Sequence, residues 1–460
     1  MAVLKVELKQ HTPIIHFQYF QEGATLRASE LKPKLDKFLI SKFKNNNIDY
    51  KKWLIGNGEP EALNYKLKIF YGDESWEHYI EDPKTNDNNE FRQKQNDDGT
   101  YSTETFQYPL FFGNMGKNYS EDRSIKKFVL ANDKIKLDFR SFISHLVDTI
   151  KNNFHEFIAQ ENFGSRQDKG FGSFYIDKGD VNYKSLNENL FDYKFEITAQ
   201  NNHDLAIRFK SIFNQVDLFY RALRSGINTK AHDRVTTTFY FKSLLFLYFK
   251  NQNIQWEKKT IKEKFFINDG LRRDGSLLYY GLNTQKTYLP SSDALTYSNN
   301  NKKLVKDLLG LSTEESWIYY KNSITKTEAK LDKNNNIIKK EKKEDQIERF
   351  KSPIFFKIIE SDTAMKYIVY IKLFENNHIK GKWFIIDSKY GRNSSLPLQI
   401  PNNFSLHNFF EFITDKTKFN ISTHVEKGFQ TDSKGNLNYQ YETLKNIFDS
   451  LKIITQTSIT

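Results

Sequence analysis

Apolar residues recur at every second position in three stretches: Leu4, Val6 and Leu8; Tyr65, Leu67, Ile69 and Tyr71; and Ile135, Leu137 and Phe139. Mainly polar or charged residues fill the gaps, so each stretch is expected to be a strand with one buried face. Between the first two, Leu31, Leu35, Phe38, Leu39 and Phe43 share one helical stripe. That predicts a helix from about residue 30, with Pro33 in its first turn, where a missing N–H is tolerated. A second stripe, Ile143, Leu146, Val147, Ile150, Phe154, Phe157 and Ile158, predicts a helix that runs into a glycine-rich loop and then a short strand, Ser173 to Ile176. Strand, helix, strand, strand, helix, strand is the ferredoxin-like (RRM-like) order, with the helices on one sheet face.

A second unit starts similarly. Phe191, Tyr193, Phe195 and Ile197 alternate with polar residues, and Leu205, Phe209, Ile212, Phe213, Val216, Tyr220 and Leu223 line one side of a helix. Later strands are expected at Ile354 to Ile359, Tyr367 to Leu373 and Trp383 to Ile386, and FYFKSLLFLYFK at 239–250 reads as a buried helix. The fold class is therefore α+β: two ferredoxin-like units with long insertions, spanning 1–180 and 181–460. Two stretches have loop composition and are expected to project as solvated insertions: the segment 82–102, and the lysine-rich run 322–348. The alternative is flexible arms that touch RNA or a neighbouring subunit.

Composition narrows the chemistry. The chain has 460 residues, 38% hydrophobic and 15% aromatic, with 40 Phe and 25 Tyr, enough to fold despite a mean hydropathy of −0.68. A net charge of +12 suits a polyanionic partner, although a lysine-rich composition alone would give the same bias. Zero cysteines exclude disulfides, thiolate nucleophiles, zinc ribbons and iron–sulfur clusters. The N-terminus MAVLKVELKQ has no apolar leader, and no apolar run reaches the about 18 residues that a membrane span needs, so a cytoplasmic protein is expected.

The loop ENFGSRQDKGFGSF, 161–174, places Gly164, Gly170 and Gly172 around Ser165, Arg166, Gln167, Asp168 and Lys169. Glycines let the backbone approach something bulky, while exposed N–H groups, an Arg and a Lys can meet phosphate oxygens. The loop lacks the Lys-Ser/Thr of a Walker loop, and a helix precedes it, unlike a Rossmann turn. The competing reading is a tight helix-to-strand turn in which the glycines serve packing alone. Arg166 and Lys169 are the leading phosphate contacts, followed by Arg27, Lys32 and Lys34 at the first helix, for which an ordinary solvated face is the alternative. Lys230, His232 and Arg234 form a third basic cluster. Tyr175, Tyr319 and Tyr320 are expected in packing roles before base stacking.

The loop resembles the G-x-R-x-x-x-G-F-G-S glycine-rich loop of the RAMP superfamily, the repeat-associated subunits of type III CRISPR effector complexes. Two further elements are similar: Thr12-Pro13 followed by Arg27, Ser29 and Lys32, and the Ser-Pro strand RFKSPIFFKII at 349–359. The chain departs from the pattern in having Lys32-Pro33 and then Asp36 where the family usually carries Lys-Gly and an Arg. Two units with one well-formed glycine loop look most like the first subunit of the type III-B (Cmr) complex.

The resemblance implies a non-catalytic subunit that grips crRNA or target RNA in antiviral defence, with other RAMP subunits as partners and no cofactor. The alternative it leaves open is a metal-independent, crRNA-processing endoribonuclease, for which His11, His16, His145 and His155 are the candidate bases. None has a recognisable spacing to a Tyr or Lys. No histidine pair has ligand spacing, and Asp82, Asp87, Asp97 and Asp98 lack a calcium-loop pattern, so no metal is expected.

Overall fold

The computed structural model describes residues 1–15, 26–56, 58–71, 76–78, 93–95, 101–103, 129–131, 134–200, 205–230, 237–262, 264–265, 301–317, 322–334, 336–340, 346–347, 349–389, 395–432 and 434–454. The fold is mixed α+β. One compact unit is built mainly on Met1–Asn214 and Phe356–Lys372, the other on Gln215–Phe355 and Leu373–Ile453.

In the first unit, strands β1 (Ala2–Gln10), β2 (Lys66–Tyr71), β3 (Ile135–Ser141) and β4 (Phe174–Ile176) form an antiparallel sheet in the order β2-β3-β1-β4. The period-two pattern dictates its register. Leu4 lies opposite Phe139, Val6 opposite Leu137 and Leu8 opposite Ile135, so one face is apolar throughout. Helices α1 (Ala28–Asn45) and α2 (Ser144–Gln160) cover that face with the stripes read from the sequence. A chain of rings then leads outward. Phe139 meets Phe154, Phe154 meets Phe157, Phe157 meets Phe163 and Phe163 meets Phe174, with centroids 5.3, 5.9, 6.4 and 5.8 Å apart. Each ring is essentially buried and contributes about 1.5–3 kcal/mol relative to an exposed side chain, so the core itself fixes where the loop after α2 begins.

Helix α1 starts at Ala28, two residues earlier than expected, so Pro33 lies inside it and not in its first turn. The helix forgoes one hydrogen bond there, and the burial of Leu31, Leu35, Leu39 and Phe43 offsets the loss. A second sheet joins β5 (Tyr193–Thr198), β6 (Ile354–Glu360) and β7 (Lys366–Leu373) in the order β6-β7-β5. Between β5 and β6 in sequence, α3 (Leu205–Arg224) buries Phe209, Ile212, Phe213, Val216 and Leu223. Of the insertion between β2 and β3, the described residues form short antiparallel pairs, Trp76–His78 with Val129–Ala131 and Gln93–Gln95 with Tyr101–Thr103. The expected loop at 82–102 therefore contains strand.

The second unit corrects two expectations. The lysine-rich run expected to project as a solvated loop opens with a ten-residue strand, Asn322–Leu331, in a seven-stranded sheet. It pairs with Glu314–Trp317, Trp383–Ser388 and Ile337–Lys339. Its charges made it look like loop, yet Lys326 is buried 2.6 Å from Asp307, and Glu328 holds Lys340 at 2.7 Å and Lys382 at 3.0 Å. Paired charges behave as interior residues here. The second correction concerns 239–250, which divides into a strand, Thr237–Phe241, and a helix, Leu244–Lys250, whose first turn is capped by Ser243 accepting from Phe246 N. Trp383–Ser388 is a strand as expected and pairs with Asn322–Leu331 and Leu396–Gln399.

Candidate nucleic-acid interface

All three sequence elements singled out beforehand contribute to one corner of the first unit. α2 ends at Gln160, Asn162 and Ser173 form a β-bridge, and the residues between them fold into a tight loop with a single 3-10 turn, Gln167–Lys169. Arg166 itself is left-handed, with φ 56°. Gly164 and Gly172 also have positive φ. A Cβ on Gly172 would overlap the Phe163 carbonyl, and one on Gly164 would lie 2.7 Å from the Ile15 carbonyl, so neither position admits a side chain. Gly170 packs in the same manner against Ile358 of β6, and Phe171 stacks on Phe213 of α3 with centroids 3.6 Å apart.

Thr12 and Pro13 are the reason the loop holds its shape. The Thr12 hydroxyl donates to Gly170 O at 2.7 Å and accepts from Ser173 N at 2.9 Å; Gly172 N donates to Pro13 O at 2.8 Å, and Ser165 N to Ile15 O at 2.7 Å. Gly164 N donates to the Glu30 carboxylate, Phe163 N to Gly172 O, and Lys169 N and Gly170 N to carbonyls within the loop. The expectation of exposed loop amides is thus overturned for residues 163, 164, 165, 169, 170, 172 and 173, whose N–H groups are spent inside the protein. An amide already bonded to a fixed carbonyl has no proton left for a phosphate.

The cations divide by role. Lys34 donates to Glu161 at 3.0 Å, to Asn162 O at 2.7 Å and to Gln167 at 2.6 Å, binding the loop to α1. Lys32 reaches Asp36 at 2.6 Å and Leu63 O at 2.9 Å, above the Tyr65 ring. Arg27 stands just before α1 in extended backbone. Arg166, Lys169 and Arg27 are half-buried, and the Nζ of Lys169 is itself shielded from solvent. Lys357 on β6, which sequence reasoning missed, is fully buried and donates to Ile158 O, Glu161 O and Phe174 O at 2.7–2.8 Å. It caps the end of α2 with an ammonium whose pKa burial pushes well down. A lone lysine in the apolar strand IFFKII was the available signal. Asn162, also buried, ties Gln167 O to Phe356 O.

His11 lies inside the same corner. It is 7% exposed, its Nδ1 accepts from Glu360 N at 3.2 Å, and burial, followed by nearby Lys9, Lys357 and Lys178, holds its pKa well below the ordinary histidine value. His155 is half-buried on α2 and His145 exposed; Tyr175 is buried and donates to Lys184 O. His16, Asp82, Asp87, Asp97, Asp98, His232, Arg234, Tyr319 and Tyr320 lie outside the described residues, as does the side chain of Lys230. Among the described residues, no group of three or more His, Asp or Glu is placed to hold a metal, and no helix is long and apolar enough to cross a membrane.

Residues 1–227 match the Cmr1 N-terminal domain and residues 240–446 the Cmr1 C-terminal domain, so the two matches run across nearly the whole chain. No curated protein and no solved structure shows a significant match. These findings define a RAMP subunit of a type III-B CRISPR effector complex. The chain belongs to the Cmr1 family, whose members work within a multisubunit assembly.

Proposed function

We propose that the chain is a non-catalytic RNA-binding subunit of its complex, holding crRNA or target RNA in the cytoplasm through the corner at Arg166 and Lys169. The observation that carries this reading is the rigid mounting of those two cations: Thr12, Lys34 and Lys357 fix the loop from three sides. A cation held by a fixed backbone grips phosphates without reading bases, which leaves sequence to guide–target pairing. We read both sheets of the first unit as ferredoxin-like, since β2-β3-β1 and β6-β7-β5 repeat one order. The burial of His11, with its Nδ1 already occupied, supports a structural role for that ring over a catalytic one.

Arg166→Ala with Lys169→Ala tests the reading. The double variant is expected to bind single-stranded RNA about tenfold more weakly than the native chain, with a log–log salt dependence shallower by about 1.4 for two lost phosphate contacts and an unchanged circular dichroism spectrum. Unchanged affinity at two salt concentrations would remove the corner from the binding surface.

A further inference from the structure

The face of the first sheet turned away from α1 and α2 carries an excess of positive charge. Across three adjacent strands, Lys66 stands opposite Arg140 and Arg140 opposite Val3; Lys68 opposite Asp138 and Asp138 opposite Lys5; Phe70 opposite Lys136 and Lys136 opposite Glu7. The two acids have nearer cations of their own: Arg140 Nε lies 3.0 Å from Asp138, and Glu7 shares Lys134, 3.4 Å away, with Asp177 at 3.0 Å. Lys5, Lys66, Lys68 and Lys136 are exposed, and none of them forms an ion pair with a described residue. Lys66 faces the like charge of Arg140, which weakens that pair, and Lys5 and Lys68 share the one Asp138 that Arg140 already holds, so the face keeps a positive excess that suits an external polyanion.

The face offers more than charge. Phe70 is 48% exposed on the edge strand β2, and Phe142, just past the end of β3, is 90% exposed. Alongside β2 runs an open groove of about 630 Å³, lined by Arg27, Ser29, Lys68 and Phe70 among others. Lys66 and Lys68, spaced about 6–7 Å along β2 next to the exposed ring of Phe70, match a splayed single strand. A duplex would present its phosphates and hide its bases from Phe70. An acidic protein segment would satisfy the lysines but gives no reason for exposed rings beside them.

We propose that this open sheet face is a second, separate platform for single-stranded RNA, with Lys5, Lys66, Lys68 and Lys136 on phosphates and Phe70 stacking a base. The inference rests on the reading of the chain as an RNA-binding subunit but uses none of the glycine-loop residues. The test titrates labelled single-stranded oligouridine into the full chain and into two variants, Lys66→Ala/Lys68→Ala and Phe70→Ala, at two salt concentrations. The lysine pair is expected to lower affinity about tenfold and flatten the salt slope by about 1.4. Phe70→Ala is expected to lower affinity at least about fivefold with the slope unchanged. If the native chain binds and both variants bind equally well, the sheet-face platform is wrong while the RNA-binding reading stands. If the native chain binds no RNA, that reading falls and takes the platform with it. Polyglutamate of matched charge displacing the RNA as effectively as unlabelled oligouridine would identify an acidic protein as the occupant and overturn the proposal.

Discussion

The corner around the glycine-rich loop and the open face of the first sheet both carry several cations, yet they use them in opposite ways. At the corner, Lys34 and Lys357 spend their protons on carbonyls and side chains of the protein itself. On the sheet face, Lys5, Lys66, Lys68 and Lys136 lie exposed with no ion-pair partner among the described residues. A basic residue in sequence therefore says little about a polyanion until its protons are accounted for. At the corner, Lys34 and Lys357 form a framework beneath Arg166 and Lys169; on the face, the lysines themselves are the surface.

That contrast is sharpened first by stability measurements. Lys357→Met keeps the volume and removes three donors, leaving buried carbonyls unsatisfied, and is expected to cost about 3 kcal/mol or more in urea unfolding. A loss below about 1 kcal/mol would mean that the clamp on α2 is dispensable. Gly172→Ala, which drives a Cβ into the Phe163 carbonyl at positive φ, is expected to cost about 2 kcal/mol, again by urea midpoint.

A pH titration probes the same corner. With its pKa held below 6.5 in the folded state, His11 is neutral in both states above that pH and contributes no slope. Below it the unfolded chain takes a proton that the folded chain refuses, so stability falls by up to about 1.4 kcal/mol per pH unit until the folded pKa is reached. His11→Gln should flatten the curve between pH 6.5 and 5.5; an identical slope in both proteins would assign the acid sensitivity elsewhere. The smallest effect belongs to the face, where Lys68→Ala is expected to change stability by less than about 0.5 kcal/mol. A larger change would show Lys68 to be a structural residue after all.

Much of the first unit was legible in the sequence. Val6, Leu137 and Ile69 alternate with polar neighbours, and the stripes of α1 and α2 are regular, so period alone identified strands and helices. The loop's glycines were legible too, but their purpose was not: whether a glycine faces a ligand or Phe163 depends on where Pro13 and Ile15 lie, and spacing does not encode that. Thr12 and Lys357 were read as parts of separate stretches, because a partner more than a hundred residues away leaves no local mark. Asn322–Leu331 was misread for the reverse reason. Lys326 and Glu328 look solvated in one dimension and become interior only when Asp307, Lys340 and Lys382 arrive.

The cap on α2 carries a consequence for how the chain is made. Ile158 and Lys357 are 199 residues apart, so on a ribosome adding about 5–20 residues per second the end of that helix waits roughly ten to forty seconds for its ammonium. Until then the nascent chain presents bare carbonyls where the glycine loop should start. The loop's final shape is therefore set only once translation has passed residue 357.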